Sequence, residues 1–362
     1  MHTIKATKKC IVILGMHRSG TSTITGVFDI LGISAGTNLM WASKCNEKGH
    51  YECVPIYEAH EELLNELSSF WNDVRFLPDN WLSSDVVHKY KLKIISLFKS
   101  EYANNKICVL KDPRICHLLP LWLDIFNDLE IEPLFVFTRR YPDEVVASLA
   151  KRDGFSENSS RLLYINYLLD AEYYSRGYTR CVIDFSDLLT DWAAVLKKID
   201  AQLALNIFPL SEETIINIQE FLAPELKHFT VEPSLADSKA SLPETLVINV
   251  YELLGMIDCV GQAQKFDYLL SIYKNYLQSL EPGLSQYPQL ILQSGQEVIF
   301  QQLGTITQAL QLANHTNSQL VSELTTLKSQ HKKLNEEILR AQGQLELLKD
   351  LMIATNQGLE QF

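Results

Sequence analysis

No stretch of the sequence reaches the roughly 20 consecutive apolar residues that a helix needs to cross a bilayer, so the chain is expected not to span a membrane. No CxxC pair occurs. The seven cysteines (Cys10, Cys45, Cys53, Cys108, Cys116, Cys181 and Cys259) are odd in number and widely spaced. That pattern argues against a disulfide framework or a zinc cluster and for buried free thiols in a reducing compartment. Excess basic charge is also missing. A formal net charge of −12 disfavours nucleic acid as the main partner, because a phosphate backbone needs a basic face. A local basic pocket for one small anion remains compatible with it. The short basic N-terminus, Met1 to Lys9, leads into an apolar run, Cys10 to Met16, that is only one strand long and ends in glycine and arginine. With no small-residue cleavage site, the run reads as a strand rather than a leader, and the chain is expected in the cytoplasm.

What is present suits a globular protein. The chain has 362 residues, 46% hydrophobic and 21% charged, enough for one large domain with an appendage. Four short apolar, β-branched runs read as buried strands: Lys9–Leu14, Ile107–Leu110, Leu134–Thr138 and Cys181–Phe185. Between and after them, helices are expected over Thr21–Leu31, Val54–Phe70, Lys91–Asn104, Asp143–Lys151, Ser160–Ser175 and Leu188–Leu203, with a loop at Trp41–Tyr51. The alternation predicts an α/β, three-layer, P-loop-like fold with a mostly parallel central sheet. In such a sheet the ligand sits outside the carboxyl ends of the strands, and each of these four runs has polar, charged or aromatic residues there.

From about Ile299 the pattern becomes a heptad. Leu303, Leu310, Asn317, Leu324, His331, Ile338 and Leu345 share one position; Ile306, Ala313, Leu320, Leu327, Leu334, Ala341 and Leu348 share the other. Twelve of these fourteen are apolar, which predicts a long helix with a coiled-coil seam. The expected organisation is a main domain over residues 1–282, a linker over 283–298, a heptad-repeat helix over 299–351 and a tail over 352–362. The seam would assemble copies of the chain or lead into a further module.

The first strand is followed by Gly15-Met16-His17-Arg18-Ser19-Gly20-Thr21-Ser22. Two glycines with four residues between them, set between a strand and a helix, have the spacing of a phosphate-binding loop. Such a loop aims backbone N–H groups and a helix N-terminus at an anion. Thr21 stands where the usual motif has lysine, which weakens any grip on a β/γ-phosphate pair and disfavours nucleoside triphosphate hydrolysis. Arg18 supplies positive charge from inside the loop instead. The third strand ends in Arg140-Tyr141-Pro142-Asp143, and Ser148 lies eight residues past Arg140. A proline in the first helical turn, followed by acidic residues, marks a helix start there.

A strand followed by [RK]-S-G-T-[ST] resembles the 5′-phosphosulfate loop of sulfotransferases that use 3′-phosphoadenosine 5′-phosphosulfate (PAPS), most of all the bacterial type reading GxxRSGTS. The resemblance spans about residues 9–205. Asn46 to Glu52 is similar to the family's N-x-x-G-x-[WYF]-E segment, Lys111-Asp112-Pro113-Arg114 to its K-D-P-R strand end, and Phe185-Ser186-Asp187-Leu188-Leu189 to Y-x-D-L-[LM]. Tyr141 stands where the family usually has asparagine. The resemblance implies PAPS as donor and no metal. It implies donor contacts from Gly15, His17, Arg18, Ser19, Gly20, Thr21 and Ser22, a 3′-phosphate grip from Arg140 and Ser148, and Phe185 beside the adenine. It implies Arg18 and Lys111 as the residues that stabilise charge during sulfuryl transfer. The general base is expected to be Glu52, with His50 second and His60 third; Glu52 paired with a basic neighbour such as Arg114 is the structural alternative. The acceptor is a hydroxyl or amine, expected on a carbohydrate. Two other readings compete. A P-loop kinase for a nucleotide or small molecule would carry lysine at position 21, and a silent donor-binding scaffold would have lost Arg18 or Lys111.

Overall fold

Four strands, β1 (Lys8–Leu14), β2 (Ile107–Lys111), β3 (Ile131–Arg139) and β4 (Arg180–Asp184), pair in parallel in the order β2-β1-β3-β4. The computed structural model describes residues 8–42, 48–222, 241–257, 259, 261–284, 323, 325–335, 338 and 340–343. β1 is the central strand, with Cys10 opposite Cys108 on one side and Pro133 on the other. Its residues from Cys10 to Leu14 are fully buried, as expected for a strand covered on both faces.

Alternation along β1 divides the core in two. Cys10, Val12 and Leu14 face one layer, built from α2 (Val54–Glu66), α3 (Asp85–Tyr102), α4 (Ile115–Asp128), α5 (Pro142–Asp153), α6 (Glu157–Tyr174), α10 (Leu242–Leu254) and α11 (Gln262–Leu284). Ile11 and Ile13 face the other, built from α1 (Thr21–Ile30), α7 (Phe185–Thr190), α8 (Trp192–Leu203) and α9 (Glu212–Phe221). This is the three-layer α/β arrangement with an all-parallel sheet. Connections leave β1 toward β2 on one side and then return to β3 on the other. The crevice at the carboxyl ends of β1 and β3 is therefore the switch point of the sheet, where ligands bind in open α/β folds.

Several boundaries differ from the sequence reading. β3 begins at Ile131, three residues earlier than the apolar run suggests, and carries Pro133. Phe185 leaves the strand and opens α7. The helix expected over Leu188–Leu203 is two helices. Asp191 breaks them, at φ −144° and ψ 68°, and its side chain accepts from the Ala194 N–H to cap α8. α2 stops at Glu66, short of Phe70. α4 is absent from the sequence reading: Pro120 lies inside it, and a proline in a helix interior removes a backbone hydrogen bond and marks against a helix, although the rest of the segment is amphipathic.

The chain forms two compact units, Met1–Leu284 and Ser285–Phe362. α11 runs to Leu284, so Gly283 and Leu284 of the segment read as a linker are helical; the rest of that segment and the tail lie outside the described residues. In the second unit residues 323, 325–335, 338 and 340–343 are helical. They include Leu327, Leu334 and Ala341 from one heptad position and His331 and Ile338 from the other; the other seam residues lie outside the described set. No helix among the described residues is long and apolar enough to cross a membrane.

Candidate active site

The loop after β1 is shaped by its conformational demands. Gly20 has φ 87° and caps the start of α1; a Cβ there would lie 2.2 Å from the Phe185 ring, so only glycine fits. Arg18 has φ 69°, a left-handed conformation in which a non-glycine residue costs about 1 kcal/mol or more and which clusters at functional sites. The Ser19 N–H donates to the Met16 carbonyl (3.2 Å) and closes the loop. Ser19 Oγ and His17 Nε2 are buried without a hydrogen-bond partner. Buried orphan polar atoms at a helix N-terminus are what an anionic oxygen would satisfy. The residue types of the loop, with backbone N–H groups at the start of α1 and the Ser19 hydroxyl, suit the oxygens of a 5′-phosphate. Thr21 is buried and packs its methyl group toward Gly15.

Residues from β3 and α5 meet the loop at the switch point. Arg18 Nε donates to Ser148 Oγ (2.8 Å), and Arg140 Nη1 donates to the Arg18 carbonyl (3.3 Å). Arg140 Nε pairs with Glu144 Oε2 (2.6 Å), its guanidinium lies 5.0 Å from the Phe185 ring centroid, and its carbonyl accepts from the Tyr164 hydroxyl (2.9 Å). Arg18, Arg140, Ser148, Gly20 and Phe185 thus form one cluster. The neighbouring Arg139 points elsewhere, to Asp184 (2.7 Å) and the Tyr251 carbonyl (2.8 Å).

From β2, on the other side of the loop, Lys111 Nζ donates to Glu52 Oε1 (2.5 Å), to the His50 carbonyl (3.0 Å) and to Ser22 Oγ (3.2 Å). The Lys111 and Glu52 side chains are 3% and 6% exposed, so this ion pair is shielded from water. Arg114 reaches Glu52 at 3.9 Å, Asp112 at 2.9 Å, and also Glu61. Burial opposes ionisation of Asp112. The Arg114 guanidinium and the hydrogen bond from His60 overcome it and hold the carboxyl far below the usual carboxylate range. His50 is half-buried, and burial together with the Lys111 charge lowers its pKa from 6.5, so its imidazole is neutral at pH 7. His17 is driven well below 6.5 by burial and by the charges of Arg114, Arg152 and Lys111.

His60 is not part of this hollow. It is fully buried, its Nε2 accepts from the Trp122 indole N–H (3.0 Å), and its Nδ1–H donates to Asp112 (2.8 Å). With both nitrogens committed it cannot serve as the third candidate for a base; it anchors Asp112.

No protein-family model matches the chain, and no curated protein matches it. Among solved structures, the sulfotransferase domain from the Synechococcus PCC 7002 olefin synthase is similar over 70% of this chain and 98% of that one, at 15% identity and a TM-score of 0.39. The sulfotransferase domain from the curacin biosynthetic pathway is similar over 68% and 98%, at 14% identity and a TM-score of 0.37.

Of the residues singled out from sequence, Gly15, His17, Arg18, Ser19, Gly20, Thr21, Ser22, His50, Glu52, Lys111, Arg140, Ser148 and Phe185 all belong to the loop or to the two clusters beside it. Asn46 and Glu47 lie outside the described residues. Sequence reasoning missed one partner, Glu144, and offered Asp112 as a residue that orients Lys111 or Arg114. Glu144 holds Arg140, and the i,i+4 spacing signals it. Asp112 holds Arg114 through both the backbone N–H (3.0 Å) and Nη1, a contact between residues two apart that a strand end permits. Among the described residues no group of three or more His, Cys, Asp or Glu side chains is placed to hold a metal ion.

Proposed function

We propose that the chain is a sulfotransferase that moves the sulfuryl group of PAPS to an acceptor hydroxyl. The observation that carries this reading is the meeting of two sequence-distant anion elements. The loop residue Arg18 bonds Ser148, 130 positions away, while Arg140 bonds the Arg18 backbone. A phosphate loop alone suits any nucleotide. A second basic and hydroxyl pair beside it suits a donor that carries phosphate at both ends of its ribose.

In this reading the N–H groups at the start of α1 and the Arg18 guanidinium hold the 5′-phosphate, Arg140 and Ser148 hold the 3′-phosphate, and the Phe185 ring lies against the adenine. PAPS supplies the sulfuryl group on an activated anhydride. Lys111 brings an ammonium beside Ser22, where the leaving group gains negative charge, and stabilises that charge in a site screened from water. Glu52, whose carboxylate pairs with Lys111 and Arg114, holds the Lys111 side chain in place. The role of base passes to His50, which is neutral at pH 7 and takes the acceptor proton on an imidazole nitrogen.

The acceptor is read as a carbohydrate hydroxyl. A cavity of about 670 Å³ is lined by Trp41 and Tyr51, aromatic residues of the kind that stack on a sugar ring, and by Asn38 and Lys48; His50 and Glu52 are not among the residues that line it. The second unit is read as a coiled coil that joins copies of the chain: Leu327, Leu334 and Ile338 are exposed on its described helix.

Calorimetry with 3′-phosphoadenosine 5′-phosphate, without metal and beside MgATP, tests the donor site. Tight binding that is lost in Arg140→Ala and not matched by ATP is the expected result. MgATP binding without bisphosphate binding would move a P-loop kinase to first place. A panel of acceptors in which only a small phenol is sulfated would remove the carbohydrate.

A further inference from the structure

Arg140 and Phe185, which in the sulfotransferase reading hold the 3′-phosphate and the adenine, have chain neighbours that meet on one side chain. Tyr251 belongs to α10, outside the residues 9–205 that carry the resemblance. Its ring packs edge-on against Tyr141 (5.8 Å between centroids), and the Arg139 guanidinium lies 4.5 Å from its centroid. Its carbonyl accepts from Arg139 Nη1 (2.8 Å), and its hydroxyl donates to Asp184 Oδ1 (3.2 Å). Arg139 Nη2 in turn donates to Asp184 Oδ2 (2.9 Å). Burial and the Asp184 charge push the Tyr251 phenol up to about 12, so it keeps its proton and remains a donor. A Cβ on Gly255 would run into the Arg139 guanidinium, so glycine lets the end of α10 come this close.

Arg139 and Asp184 stand opposite each other at the ends of β3 and β4, as the last pair in register between these strands. Arg140 follows the first of them and Phe185 the second. Arg140 is therefore flanked on both sides, by Arg139 and Tyr141, with residues that touch Tyr251. Its own carbonyl is held by the Tyr164 hydroxyl (2.9 Å). Arg139 spends both Nη groups on the brace, which suits a role in holding the site more than contact with a ligand. A binding group is precise only when the residues that carry it are themselves fixed. We propose that Tyr251 is a positioning residue for the donor site: through Arg139, Tyr141 and Asp184 it fixes where the chain presents Arg140 and Phe185, and so sets the preference for a ligand with a 3′-phosphate. This role rests on the sulfotransferase reading. It also gives Tyr141, which stands where the family usually has asparagine, a partner of its own.

Calorimetry on the full-length protein with 3′-phosphoadenosine 5′-phosphate and with adenosine 5′-phosphate, which lacks the 3′-phosphate, tests this. Tyr251→Leu is expected to weaken the bisphosphate by about tenfold or more and the monophosphate by about threefold at most, because Arg140 loses its alignment. Tyr251→Phe removes the hydroxyl alone and keeps the ring, so it remains informative if the leucine variant does not fold. It is expected to weaken the bisphosphate by about threefold and the monophosphate less. A merely structural tyrosine would move both ligands alike. An equal loss for the two ligands, or no loss for either, overturns the proposal while the donor reading stands. A parent protein that does not bind the bisphosphate overturns the donor reading, and the proposal with it.

Discussion

Lys111 stands close to the loop position where the usual phosphate motif has its lysine. Position 21 holds threonine instead of the P-loop lysine, yet an ammonium stands 3.2 Å from Ser22, delivered by the neighbouring strand. Lys111→Gln is expected to lower kcat by about 100-fold or more, the scale for loss of one preorganised charge stabiliser. It is also expected to destabilise the fold by about 1–3 kcal/mol, because buried Glu52 is left with only Arg114, 3.9 Å away, as a charged partner. Changing Glu52 to Gln in the same protein should restore stability by urea denaturation and leave activity low. The pH profile separates the two candidate bases. His50 is lowered from 6.5, so kcat/KM should fall only as pH drops below about 6.5. That limb should vanish in His50→Gln; a limb that survives there and vanishes in Glu52→Gln would return the base to Glu52. His17 gives a stability prediction of known sign. Its folded pKa lies well below 6.5, so below that pH the unfolded chain binds more protons and stability falls as pH drops. The urea midpoint should drop between pH 7 and pH 5.5, and less steeply in His17→Phe. These residues were visible in the sequence because loop and strand-end motifs put charge at fixed offsets. Their partners were not: nothing in the spacing reveals that Glu52 would meet Lys111, 59 positions away, or that the Trp122 indole would fix the tautomer of His60.

Among the elements, the strands and most helices were legible because their apolar periods are clean. β1, with every residue from Cys10 to Leu14 buried, is the clearest case. α4 was missed because Pro120 interrupts the pattern, although its apolar residues recur at helical spacing and Asp124, Asn127 and Asp128 form an exposed face. The break at Asp191 was overlooked although aspartate is a favoured N-cap, because the apolar period of Leu188, Trp192, Val195, Leu196, Ile199 and Leu203 runs on across it. The junction of β1 and α1 depends on one residue. Gly20→Ala would place a methyl group inside the Phe185 ring in a conformation alanine avoids. It is expected to cost about 1–3 kcal/mol in urea denaturation and to abolish bisphosphate binding, since the Phe185 ring must move. Gly20→Ala together with Phe185→Leu should recover part of the stability.

At the scale of the whole molecule, the net charge of −12 and the basic hollow are compatible because the positive groups are concentrated in one place. Arg18, Lys111 and Arg140 come from the ends of β1, β2 and β3, which the parallel sheet aligns on one edge. The two-unit division predicts separable behaviour. A fragment of residues 1–284 should bind 3′-phosphoadenosine 5′-phosphate as the full chain does, and should sediment as a monomer where the full chain sediments as an oligomer. A full chain that also sediments as a monomer would remove the coiled-coil reading. The position of β1 has a consequence for synthesis as well. The most apolar strand is the first made, and it lies at the centre of the sheet with both edges awaiting partners. Its neighbours at Cys108 and Pro133 emerge from the ribosome roughly a hundred residues later. At about 5–20 residues per second, β1 spends several seconds with two unpaired edges exposed. Holdase chaperones that bind short apolar segments would find their natural target in this protein at its first strand.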